Sequence, residues 1–319
     1  MDCSLFFAGT GGSLPTARRG LPATLLRHGG DRILFDCGEG TQRELVRTVG
    51  LPDITEVFLT HHHLDHWLGL PGMLKSFELR DRERPLTILG PPGTERLIAS
   101  LKPIIGGLRY RLSVTDLEPD AIVEFDGYEI QALRVRHRGE AYGYAIVEHD
   151  RPGRFDAELA EDLGVSPGPD FGRLQNGETI AGVRPEQVMG ETRRGRRIVL
   201  SGDTGPCDMI RYAAGGADLL VHEATFLDEE RERAHETGHS TARQAAELAA
   251  EAGVGMLALT HVSSRYPASA VADEASAIFG RTVVPRDHDT IEIPFPERGE
   301  PVLLRWDRKT GQPQPVPAG

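Results

Sequence analysis

The 319-residue chain is 39% hydrophobic and 26% charged, and 36 lysines and arginines against 48 acidic residues give it a net charge of −12. That balance argues against broad nucleic-acid binding through bulk electrostatics. No apolar run approaches the length of a membrane span, and three widely spaced cysteines (Cys3, Cys37 and Cys207) do not form a disulfide framework. The stretch from Met1 to Phe7 has no basic region ahead of its apolar residues, so it does not read as a secretory signal, and a cytoplasmic location is expected.

Short apolar runs rich in Val, Ile, Leu and Phe predict strands at 4–8, 23–26, 32–36, 56–60, 86–89, 128–135, 144–147, 197–200, 219–221 and 256–259. Between them, Thr41 followed by Glu44 reads as a capping box opening a helix that Gly50 ends. Residues 67–80 and 93–101 read as further helices, and Thr241 with Gln244 caps a helix over 242–252 that Gly253 closes. Strands occur both as hairpin-like pairs and separated by helices, which predicts a layered α/β domain with mixed sheets. One stretch departs from this rhythm. Residues 151–197 are rich in Gly and Pro, with one clear helix at 156–163, and read as an arm inserted into the domain. Eight arginines balance eight acidic residues there, so the rest of the chain carries the −12, and Arg193, Arg194, Arg196 and Arg197 cluster at its end. The Pro-rich tail 311–319 is expected to fray.

The chemistry is concentrated at His61, His63, Asp65 and His66, directly after the run 56–60. Two imidazoles at i and i+2 on a strand-exit loop can face one metal, and Asp65 with His66 can face another. Imidazole and carboxylate suit Zn²⁺, Mn²⁺ or Fe better than Ca²⁺ or Mg²⁺. Further ligands are expected at other strand ends, where loops of one sheet edge converge. His137, Asp203 and His261 each follow an apolar run by a few residues. Seven groups result, enough for two metals with a bridging carboxylate. Two metals make a shared water more acidic, and Asp65 can accept a hydrogen bond from that water with its second oxygen, making it the candidate base. His239 lies just ahead of the helix capped at Thr241, where free N–H groups favour a phosphate. It is the candidate proton donor to the leaving oxygen, its own pKa lowered by the helix dipole, and Glu223 is the candidate that orients it. His222 reads as structural.

The series His61-x-His63-x-Asp65-His66 with distant His137, Asp203 and His261 resembles the metallo-β-lactamase superfamily. Phe7–Pro15, Leu34–Gln42, Phe58–Gly72, Gly90–Gly93, Ser201–Thr204 with Pro206-Cys207, His222–Thr225, Gly238–Thr241 and Thr260–Tyr266 follow in order and resemble its ribonuclease Z family, which trims the 3′ trailer from precursor tRNA. The resemblance implies a four-layer αβ/βα sandwich with two mixed sheets, a single hydrolase domain over 1–319 carrying the arm 151–197. It implies two Zn²⁺ per subunit, or Mn²⁺: His61, His63 and His137 on one, Asp65, His66 and His261 on the other, Asp203 bridging. It also implies a precursor-tRNA substrate cleaved to a 3′-hydroxyl, a homodimer, and neither membrane nor DNA as partner. Gly168 and Pro169 resemble the arm's Gly-Pro motif, and Arg265 is a candidate RNA contact. The stretch Pro15–Gly20 lacks the Lys and Asn that the family commonly carries there. Two rival readings share the same metal motif: a hydrolase of a small phosphodiester or sulfate ester, and a metal-dependent RNA-binding protein with vestigial hydrolysis.

Overall fold

A computed structural model describes residues 2–307 and 309–316. The chain forms two compact units, Met1–Val147 with Arg196–Gly319, and Glu148–Gly195.

In the larger unit, the strand Cys3–Gly9 shows how the layers arise. Its side chains alternate, Leu5 and Phe7 entering one apolar cluster and Phe6 and Ala8 another. Both faces are covered, so the strand is apolar throughout rather than alternately polar. The first cluster joins the inner faces of two sheets, packing Phe7, Phe35 and Phe58 with Tyr144, Ile198 and Val221. Outside one sheet, Phe6, Leu34 and Val57 meet Leu45, Leu74 and Ile98 from helices; outside the other, Val199, Leu220 and Leu257 meet Ala245, Ala246 and Val271. Helix, sheet, sheet and helix make the four layers.

One sheet runs Gln312–Pro315, Val302–Asp307, Thr290–Glu292, Cys3–Gly9, Ala23–His28, Asp31–Phe35, Glu56–Phe58, Leu86–Gly90 and Leu112–Asp116. The other runs Thr282–Val283, Met256–Thr260, Leu219–Glu223, Arg197–Leu200, Tyr142–Glu148, Tyr128–Arg134 and Ile122–Phe125. Each sheet is mixed. Asp31–Phe35 through Leu112–Asp116 are parallel in the first, and Arg197–Leu200 through Thr282–Val283 in the second. No helix among the described residues is long and apolar enough to cross a membrane.

The structure corrects several local expectations. The helix Thr41–Thr48 is capped by Gly40 at φ 87°, not by Thr41, whose hydroxyl donates back to Gly38 O at 2.7 Å. A left-handed glycine has taken the capping position. The segment 67–80 is two helices, Leu64–Trp67 and Leu70–Leu79. Between them Gly69 lies so close to the chain at Gly38 that a Cβ would sit 2.2 Å from its carbonyl oxygen. The strands Leu112–Asp116, Ile122–Phe125 and Val302–Asp307 lack long apolar runs because they are only partly buried. Of the tail, Gln312–Pro315 pairs antiparallel with Val302–Asp307, while 317–319 lie outside the described residues.

The smaller unit holds three helices rather than one: Ala157–Asp162, Pro169–Gln175 and Pro185–Val188. It has its own core of Ala160, Val165, Leu174, Ile180, Val183 and Val188, with Phe155 and Phe171 against it. These residues are scattered singly between glycines and prolines, which hides their periodicity. Gly168 takes φ 137° and places Pro169 at the start of the second helix. Arg196 and Arg197 lie outside this unit. Arg196 is buried, donating to Ile293 O at 2.8 Å with its guanidinium 4.1 Å over the Phe295 ring, and Arg197 opens a strand. Without them the unit counts six arginines against ten acidic residues, a net −4 rather than neutrality.

Candidate metal centre

The strand Glu56–Phe58 delivers its chain into His61–His66, the parallel strands Arg197–Leu200 and Met256–Thr260 deliver Asp203 and His261, and Tyr128–Arg134 delivers His137. All seven expected ligands meet where strand ends of the two sheets converge. His63 Nδ1 lies 2.9 Å from His61 Nε2 and 3.2 Å from His137 Nε2. Asp65 Oδ2 lies 3.6 Å from His66 Nε2 and 3.5 Å from His261 Nε2. Asp203 Oδ2 faces both groups, 3.8 Å from His61 Nε2 and 3.3 Å from both His66 Nε2 and His261 Nε2.

These residues fit a metal. His66 Nε2 and His261 Nε2 are buried and make no hydrogen bond among the described residues, which is costly for a polar atom. The oxygens nearest them stand 3.3–3.6 Å away. Donors sharing a tetrahedral ion with bonds of about 2.0–2.1 Å stand roughly 3.3 Å apart.

The far side of each ring fixes its tautomer. His137 Nδ1 donates to Gly238 O at 2.7 Å and His66 Nδ1 to Asp36 Oδ2 at 2.8 Å. His61 Nδ1 donates to Thr60 Oγ1 at 3.0 Å, and that hydroxyl donates to Asp36 Oδ2 at 2.9 Å. His261 Nδ1 donates to Thr225 Oγ1 at 2.8 Å, and that hydroxyl donates to Glu223. In each of the four, the Nε2 lone pair is left for the pocket. Asp36, Thr60 and Thr225 therefore complete the centre, and sequence reasoning had assigned them no role. Asp36 carried a signal, an acid just before Cys37-Gly38 at a strand end.

Burial raises the Asp203 and Asp65 carboxyls, but the surrounding imidazoles outweigh it and hold both below the usual carboxylate range. Burial and the neighbouring His66 push His61 down. His66 is pushed up despite burial, because Asp203 and Asp36 flank it. Anionic carboxylates and a crowded set of ring nitrogens favour a divalent cation.

His239 lies beside the cluster, its Nδ1 2.7 Å from Glu223 Oε1. Burial opposes its charge, yet Glu223 and Asp203 push its pKa up to about 9. That reverses the expected lowering by the helix dipole, because a contacting carboxylate outweighs a helix end. Glu223 also accepts from Thr204 N and Thr225 N, so its position is fixed. His222, on the opposite strand face, bonds the carbonyl of Glu223 through Nδ1 at 2.8 Å. Arg265 pairs with Glu230 at 3.3 Å. Gly168 and Pro169 belong to the smaller unit. His62, unassigned from sequence, bonds Thr94 Oγ1 at 2.8 Å.

The sequence profile of the metallo-beta-lactamase superfamily matches residues 19–261. Ribonuclease Z of Methanosarcina acetivorans is 44% identical over 297 residues, covering 91% of this chain and 97% of that protein. The Myxococcus xanthus ribonuclease Z is 43% identical, covering 91% and 98%. Among solved structures, the short form of human tRNase Z superposes with a TM-score of 0.67 at 28% identity, covering 92% of this chain and 99% of that one.

Proposed function

The chain belongs to the ribonuclease Z family of the metallo-β-lactamase superfamily, and we propose that its His/Asp pocket holds two Zn²⁺, replaceable by Mn²⁺, and cuts precursor tRNA to leave a 3′-hydroxyl. It is a metal-dependent endoribonuclease of tRNA 3′ processing. His61, His63 and His137 would hold one ion, Asp65, His66 and His261 the other, and Asp203 both. The observation that carries this division is the single oxygen Asp203 Oδ2 facing His61, His66 and His261 together.

Held there, divalent ions supply Lewis acidity, making an attacking water more acidic and neutralising charge at phosphorus. Asp65, ionised at every working pH, accepts a hydrogen bond from that water. Its depressed pKa suits it to orienting the water and passing the released proton on to solvent more than to keeping it. As the phosphorus–O3′ bond breaks, His239 donates its proton to the departing 3′ oxygen, and Glu223 keeps it protonated and aimed. The smaller unit, residues 148–195, would grip the body of the tRNA, with Gly168-Pro169 shaping one of its helices and Arg265 contacting RNA near the pocket. A homodimer working in the cytoplasm completes the reading.

The test is incubation of zinc-loaded protein with precursor tRNA, with Asp65→Ala alongside. Cleavage after the discriminator nucleotide, absent in the variant, supports the reading. No cleavage with Zn²⁺ or Mn²⁺ overturns it.

A further inference from the structure

Residues 10–20 leave the strand Cys3–Gly9 and run beside the pocket. Thr10 O accepts from Val262 N at 3.1 Å and Gly12 N donates to Val262 O at 3.3 Å, placing this segment against the residue that follows His261. Gly12 lies so near the His261 ring that a Cβ there would stand 2.5 Å from Nδ1. At Ser13 the backbone turns to φ 61° and its N–H donates to Asp65 Oδ2 at 2.9 Å. A serine adopts that conformation where its surroundings impose it.

One carboxylate imposes it, from the far end of the sequence. Asp287 Oδ1 accepts from Thr10 N at 3.0 Å and from Thr10 Oγ1 at 2.6 Å, while its Oδ2 accepts from Gly20 N. The Arg19 guanidinium donates to the same Thr10 hydroxyl and to Pro285 O at 3.0 Å. Gly11 N closes the loop onto Gly20 O at 2.9 Å. Both ends of the segment that carries Ser13 are thus tied to one side chain.

We propose that Asp287 is a positioning residue for the reaction: by fastening Thr10 and Gly20 it sets the loop so that the Ser13 N–H holds the Asp65 carboxylate in place. Among the described residues Asp287 hydrogen-bonds Thr10 and Gly20 and none of the proposed ligands. It acts through Thr10, the loop backbone and Ser13. The proposal rests on the reading that Asp65 takes part in the chemistry.

Two measurements on the full chain test it. Amide hydrogen exchange at Ser13, read in the metal-free protein, is slow in wild type, fast in Asp287→Asn and Thr10→Val, and slow again in Thr10→Ser, which keeps the hydroxyl. At saturating zinc, kcat on precursor tRNA falls roughly 10- to 100-fold in Asp287→Asn and Thr10→Val, the span of one hydrogen bond to a charged group. KM stays unchanged, and Thr10→Ser restores kcat. An unchanged kcat with a raised KM makes the loop an RNA-binding element and overturns the proposal. So does Ser13 protection that survives in both disruptive variants. Should Asp287→Asn fail to fold, the Thr10→Val and Thr10→Ser pair decides. A wild type that cuts no precursor tRNA refutes the functional reading instead, and the Ser13 exchange still reports on the loop.

Discussion

Asp36 offers the sharpest test of the centre, because replacing the oxygen that faces His66 with an amide nitrogen reverses that hydrogen bond, while the Thr60 hydroxyl can still donate to Oδ1 at 3.1 Å. Asp36 Oδ2 accepts from His66 Nδ1 at 2.8 Å, Oδ1 accepts from Thr60 N at 2.8 Å, and the Thr60 hydroxyl that orients His61 donates to the same carboxylate. In Asp36→Asn the amide oxygen must stay on Thr60 N, since two facing N–H groups would repel. The NH₂ group then meets His66 Nδ1, which has to become an acceptor. The ring proton moves to Nε2, pointing into the pocket where a metal would bind. Loss of such an outer partner typically costs 10- to 100-fold in metal affinity, or about 1.4–2.7 kcal/mol. The reversed tautomer places this variant toward the upper end. The loss falls first on the site shared by His66, and less on the His61 site, which keeps the Thr60 hydroxyl. Zinc affinity measured by competition with a chromophoric chelator would show one of two sites weakened while kcat recovers at high zinc. Wild-type affinity at both sites in Asp36→Asn would refute the tautomer argument, because no arrangement of the amide satisfies both Thr60 N and a His66 ring that keeps its proton on Nδ1.

Glu223→Gln should lower the basic limit of the reaction. A proton donor works below its pKa and fails as pH rises through it, so kcat on precursor tRNA should fall above about pH 9 in wild type, where Glu223 and Asp203 have pushed His239. Without the Glu223 charge that limb moves toward neutrality, and a profile unmoved by the substitution would exclude His239 as donor. Replacing residues 156–190 with a short Gly-Ser linker should abolish cleavage of precursor tRNA while hydrolysis of a small phosphodiester persists; loss of both would count against a substrate-gripping role. Tyr144→Phe removes a buried bond from the phenol to Leu59 O at 2.6 Å, two residues before His61. It should reduce unfolding free energy by about 1 kcal/mol in a urea titration, and no change would mean that Leu59 O finds another donor.

The ligands were legible in the sequence because coordination restricts residue type and strand ends restrict place. Each of the seven follows a strand whose apolar run marks it. Asp36, Thr60 and Thr225 were not, because a buried hydroxyl or carboxylate that orients a ring looks the same in sequence as one that ends a strand. Only the distances tell them apart. The layering was legible where both strand faces are buried, as at Leu5 to Ala8, and was lost where they are not, as at Ile122–Phe125. The cap of the helix at Thr41 differs for a related reason: the chain enters through a left-handed Gly40 with no side-chain cap, so Thr41 lies inside the first turn and not at the capping position.

Charge is where sequence and structure diverge most, and the divergence bears on how RNA is held. Read as 151–197, the arm is neutral and ends in four arginines; bounded by its own packing it carries −4, and two of those arginines belong elsewhere. Within the unit Arg173 is already taken by Asp170 and Glu178, at 3.1 and 2.8 Å. A surface of that sign cannot draw RNA in by counterion release over many phosphates, so few phosphate contacts, and a shallow salt dependence, are what it can support. Under the proposed reading, recognition would come from shape, from individual exposed arginines such as Arg154 and Arg184, and from cations held in the His/Asp pocket. On that reading metal would serve more than the chemical step. Without it the strongest anionic group near the scissile phosphate would be the protein's own cluster of Asp65, Asp203 and Glu223, and the centre would repel the bond it is built to cut.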